Sequence, residues 1–150
     1  MSGFVIRRVA GLAFAVGCLA GIAGTAEAKK APVPEVQAFD CTRTGGSTNL
    51  MSQRLFIIRA QGTGEVAVMD EIIYTVNGKE PVMAKVSGDT AKRLDLTWVV
   101  ERIPLSNRGS TGRASYRATL FKDSLTYVES VVLSGYDNSE SSSGTCKLMQ

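Results

Sequence analysis

Histidine is absent from this chain of 150 residues. Its absence removes every mechanism that needs imidazole as a base or a metal ligand, the Ser/His/Asp and Cys/His arrangements included. Aromatic residues are sparse at 7%, with a single tryptophan, and there are only three cysteines. A zinc or iron site therefore lacks its usual ligands, and no metal or cofactor is expected. Charge of one sign is also lacking: 17 Lys and Arg stand against 14 Asp and Glu, a net charge of +3, spread along the chain. This is not the clustered basic footprint of a nucleic-acid binder. What remains is ordinary for one folded domain, with 44% hydrophobic and 21% charged residues.

The longest apolar run lies at the start. Arg7 and Arg8 precede an uncharged stretch from Val9 to Gly24, and Ala26-Glu27-Ala28 has the small-x-small pattern cut by a signal peptidase. The run is about 16 residues where a spanning helix needs about 20, so residues 1–28 read as a secretory signal peptide with no stable membrane insertion after cleavage following Ala28. The alternative is lipidation at Cys18, which follows Ala15, Val16 and Gly17. Cleavage predicts a periplasmic or secreted protein of a bacterial envelope holding two cysteines, Cys41 and Cys146, in an oxidising compartment that favours their disulfide. Closing a loop on the order of 100 residues contributes about 4.7 kcal/mol by chain entropy.

Pro32 and Pro34 make residues 29–36 an extended linker, and a single β-domain is expected over 37–150. Leu94, Leu96, Trp98 and Val100 fall on one face with Asp95, Thr97 and Glu101 on the other, and Tyr116, Ala118 and Leu120 alternate with Ser115, Arg117 and Thr119. Period two of this kind marks half-buried antiparallel strands. Strands are expected near 37–42, 54–60, 65–69, 71–76, 80–87, 92–102, 113–121 and 124–134, with a short ninth after Gly144; no stretch shows a sustained helical stripe, and Met69 to Tyr74 is the one candidate for a single helical turn. Asn77-Gly78 is the strongest hairpin signal. The resulting fold is all-β: a small antiparallel meander of about eight strands, closed as a barrel or packed as a sandwich, with one disulfide tying the first strand to the last.

Few residues point to chemistry. Gly62-Thr63-Gly64 lacks a following helix and reads as a strand connection. Asp137, Ser139 and Glu140 lack calcium-loop spacing, and the run from Ser139 to Ser143 reads as a mobile, solvated loop. Asp70, Glu71, Asp95, Glu101 and Glu129 are carboxylates that sequence alone does not bring together. Glu129 stands out because it interrupts an apolar face, where it must be paired, protonated or turned outward by a bulge. The segment from Arg102 to Arg113 holds Arg102, Arg108 and Arg113 among Pro, Ser, Asn and Gly. It reads as a long loop whose guanidinium groups suit carboxylate or phosphate, with Tyr136 on the same rim.

The two ends of the domain resemble the small periplasmic inhibitors of c-type lysozyme. Phe39-Asp40-Cys41 matches an aromatic-x-Cys entering the first strand, and Cys146-Lys147-Leu148 matches a late Cys-x-Leu. The resemblance covers those residues alone. The stretch between the cysteines is longer than in that family, and Thr111-Gly112-Arg113-Ala114-Ser115-Tyr116 is out of register with its Ser-Gly-x-x-Tyr loop motif. Three expectations follow. The first is a non-enzymatic domain that binds a macromolecular partner or envelope component through Arg102, Arg108, Arg113 and Tyr136. The second is a barrel that carries a small apolar ligand in a cavity near Trp98. The third, implied by the resemblance, is an inhibitor of a cell-wall lytic enzyme. Oligomeric state is not legible in the sequence.

Overall fold

The computed structural model describes residues 35–105, 109–137 and 139–149. Eight strands form one closed antiparallel barrel in simple meander order: β1 (Val36–Gly46), β2 (Arg54–Ala60), β3 (Val66–Asp70), β4 (Val82–Asp89), β5 (Arg93–Pro104), β6 (Thr111–Phe121), β7 (Thr126–Leu133) and β8 (Ser139–Met149). The proposed signal peptide and nearly all of the linker lie outside the described residues.

Closure follows from pairing β8 with β1, where Cys41 stands directly opposite Cys146 and their sulfurs are bonded. The disulfide thus clips the seam of the barrel, and it fits an oxidising, non-cytoplasmic compartment. No helix among the described residues is long and apolar enough to cross a membrane. The alternation read from the sequence holds, because Leu94, Leu96, Trp98, Val100, Tyr116, Ala118 and Leu120 all point inward and are buried. Leu55, Ile57, Val66, Val68, Tyr127 and Val131 complete the packed interior. Asp89, the last residue of β4, pairs with both Arg59 and Lys122, the latter at 2.5 Å.

Four expectations require correction. Residues 71–76 form a helix, α1 (Glu71–Val76), and not a strand. Ile72, Ile73 and Thr75 favour strands, but the Asp70 carboxylate accepts a 2.7 Å hydrogen bond from the Ile73 amide and caps the helix, while Ile73 is fully buried. Asn77-Gly78 consequently ends a helix instead of forming a hairpin. Gly78 and Lys79 do take the positive φ that the pair suggested, 68° and 70°, and Lys79 N–H donates to the Tyr74 carbonyl.

The serine run is likewise no loop. It belongs to β8, an eleven-residue strand bonded on both sides, with Ser142, Gly144 and Cys146 facing inward. Barrel closure supplies two hydrogen-bonding neighbours, which outweighs the weak strand preference of Ser and Gly. Gly144 is required there, since a Cβ would lie 2.1 Å from the Thr42 carbonyl and 2.6 Å from the Tyr127 ring. The long arginine loop also shrinks. β5 continues to Pro104 through a register shift between Val100 and Ile103, with Arg102 at φ 60°, and β6 begins at Thr111. Arg102 and Arg113 therefore sit on paired strands.

Candidate functional site

Two arrangements stand out: a buried polar layer under one mouth of the barrel, and a groove on its outer wall. The polar layer lies beneath α1 and the β1–β2 loop. Arg43 on β1 holds that loop, donating to the carbonyls of Ser47 at 2.6 Å and Met51 at 2.9 Å. Glu140 on β8 holds it from the other side, accepting from the Ser47 hydroxyl and, at 3.0 Å, from the Asn49 amide. These donors keep the Glu140 carboxyl below its ordinary range. The Tyr116 hydroxyl donates to the Leu50 carbonyl at 2.8 Å, so the loop is pinned over the mouth.

Inside this layer Glu129 is 5% exposed. β7 pairs with both neighbours without a register shift, so no bulge turns the side chain outward. Burial pushes its carboxyl up to about 8, the charge of Asp70 adds to the rise, and Arg43 opposes it. Of the outcomes open to a carboxyl on this face, protonation is the one realised at neutral pH. Asp70 is raised too, first by burial, while the Ile73 amide and the Ser52 hydroxyl hold it down. Tyr127 is pushed up to about 12 by burial. Its hydroxyl and that of Ser142 lie near each other, yet neither completes a hydrogen bond of ordinary geometry. Asp70 and Glu129 are the two carboxylates of the sequence that the fold brings within electrostatic reach of each other, and both are buried. Their evident work is structural: one caps α1, and the other fills the wall as a neutral acid.

The arginines fare differently from one another. Arg113 pairs with Glu101 at 3.2 Å, and both side chains are more than half exposed. Arg102 reaches the carbonyl of Val76 at the C-terminal end of α1, at 3.5 Å. Arg108 lies outside the described residues. Tyr136 is 50% exposed in the β7–β8 turn, next to the backbone pairing of Ser134 with Arg113. Arg102, Arg113 and Tyr136 thus share one rim, with the first two already engaged by groups of the protein itself. Trp98, where a carrier would need space, is 3% exposed and stacked on Tyr116 with ring centres 5.3 Å apart.

The outer wall carries the second arrangement. Register places Lys85 opposite Thr97, Thr97 opposite Arg117, Arg117 opposite Ser130, and Ser130 opposite Ser141, so one row crosses five strands. The row spans roughly 19 Å at ~4.8 Å per strand. Lys85 and Arg117 are exposed, and no carboxylate among the described residues pairs with either. The adjacent Asp95 is satisfied by Arg93 at 3.0 Å and Thr119 at 2.7 Å. A groove of about 730 Å³ lies over β4–β7, flanked by Met83, Val99 and Val132. A second groove, of about 380 Å³, runs on over β6–β8 and shares Arg117 and Ser130 with the first. Nothing in the linear sequence marked this row, because its members lie on five strands and meet only through register. No protein-family model matches the chain, and no curated protein or solved structure does so either.

Proposed function

We propose that this protein is a secreted, non-enzymatic binding domain of a bacterial envelope that holds an envelope component against the outer wall of its barrel. The observation carrying this reading is the cross-strand row in which Lys85 and Arg117 stand exposed, with no acidic partner among the described residues, over two grooves that share Arg117 and Ser130. Exposed cations are usually scattered or paired; here they line a concave strip with apolar flanks, a setting suited to contact with an anionic partner. Such a wall is also rigid, since every strand is bonded to two neighbours. The rim of Arg102, Arg113 and Tyr136 offers less free charge, because Glu101 neutralises Arg113.

Binding of the purified exported protein to isolated envelopes distinguishes the two surfaces. Lys85→Glu with Arg117→Glu is expected to weaken binding at least tenfold, and Arg102→Glu with Arg113→Glu to change it less than threefold. The opposite pattern would move the contact to the rim, and indifference to both pairs would end the charge-based reading.

A further inference from the structure

We infer that the occupant of the outer-wall groove is an acidic glycan, an elongated sugar chain bearing carboxylate or phosphate groups. The inference rests on the reading of the wall as the binding surface and adds the ligand's chemical class. Three features of the wall point to it. The first is the spacing of charge: Lys85 and Arg117 flank Thr97 and so sit two strands apart, about 10 Å by strand spacing. That suits acid groups repeated along a chain better than one compact anion. The guanidinium fork of Arg117 offers paired donors to a carboxylate or phosphate, and Lys85 adds a point charge.

The second feature is the supply of hydroxyls. Thr97, Ser115, Ser130 and Ser141 lie along the strip, and none of their hydroxyls has a side-chain hydrogen bond within the described protein. A hydroxyl both donates and accepts, so a row of them matches a ligand that presents hydroxyls of its own. Met83, 59% exposed, and Val132, 44% exposed, supply apolar contact for the faces of sugar rings beside the polar row.

The third is the state of the backbone. An acidic peptide would gain most of its affinity by adding a strand to a sheet edge. The barrel is closed through the pairing of β8 with β1, and at Thr97, Arg117 and Ser130 the strands under the row are already paired on both sides. A peptide laid across the wall would leave its own amides to water, whereas a sugar chain has no backbone ladder to satisfy.

Calorimetry on the purified protein tests this with four polymers of matched length: polygalacturonate, phosphorylated dextran, neutral dextran and poly-glutamate. Binding is expected to polygalacturonate or to phosphorylated dextran, the tighter one showing which acid is preferred, and at least tenfold more weakly to neutral dextran and poly-glutamate. Arg117→Gln should cost at least tenfold, Ser130→Ala with Ser141→Ala at least threefold, and Lys147→Glu on the β8 seam less than twofold. Equal binding of poly-glutamate, or indifference to the serine pair, would overturn the glycan. If neither acidic polymer binds while envelope binding persists and still depends on Lys85 and Arg117, the ligand class falls and the binding-domain reading stands. If envelope binding does not depend on those cations, both fall.

Discussion

Replacing Glu129 by Gln separates the burial of a neutral acid from the burial of a charge. Glu129 is 5% exposed, and burial together with Asp70 raises its carboxyl from 4.5 to about 8 in the folded protein, against the pull of Arg43. Below pH 4.5 the group is protonated in both the folded and the unfolded chain, so it contributes no slope. Between 4.5 and about 8 the unfolded chain releases the proton while the folded chain keeps it. Stability therefore falls as pH rises through that window and levels off above it. At ~1.4 kcal/mol per pH unit the full difference is roughly 5 kcal/mol, and water entry on ionisation reduces it, leaving at least about 2 kcal/mol. Asp70, also raised, contributes with the same sign. Asp89 and Glu140, which are held low, act below this window. Urea unfolding, followed by Trp98 fluorescence from pH 5 to pH 9, reads the effect. With m of about 1.5 kcal/mol/M, the midpoint of Glu129→Gln relative to wild type should rise by about 1 M between pH 5 and pH 9. Parallel profiles across that range would refute the protonated, buried state of Glu129.

Other consequences follow from the seam. Reducing the Cys41–Cys146 bond releases a loop of 105 residues and should lower stability by about 4.7 kcal/mol; a urea midpoint insensitive to reductant would show that the strand pairing holds the seam without it. Gly144→Ala places a methyl 2.1 Å from the Thr42 carbonyl and 2.6 Å from the Tyr127 ring. The backbone on that side cannot withdraw without parting β1 from β8, so a loss of more than about 3 kcal/mol is expected. A variant that melts within a few degrees of wild type would contradict the close approach.

Much of the barrel was legible because its central strands bury one face and wet the other. The runs Leu94–Val100 and Tyr116–Leu120 announce this directly, and the pair Cys41 and Cys146, near the two ends of the β-domain, announces the seam. Where the account from sequence failed, tertiary structure had outweighed local preference. Ile72 and Ile73 favour a strand, but Asp70 captures the Ile73 amide and Ile73 is needed under the mouth. The serines of β8 resemble a loop until closure gives them partners on both sides. Bulges in β4 and β5 shift the alternation, and the one in β5 drew Arg102 into a strand. Glu129 was visible as an anomaly, although its resolution as a buried neutral acid required the packed interior. The groove on the wall was the least legible feature. Lys85, Thr97, Arg117 and Ser130 are separated by a dozen residues or more at each step, and only the register of adjacent strands aligns them.

The central claim, that the outer wall is the contact surface, is tested most directly by nuclear magnetic resonance of the nitrogen-15-labelled protein titrated with polygalacturonate or with a solubilised envelope fraction. The account predicts amide shifts concentrated along Lys85, Thr97, Arg117, Ser130 and Ser141, fading toward the barrel ends. Shifts confined to the β5–β6 and β7–β8 turns, with that row unmoved, would contradict it.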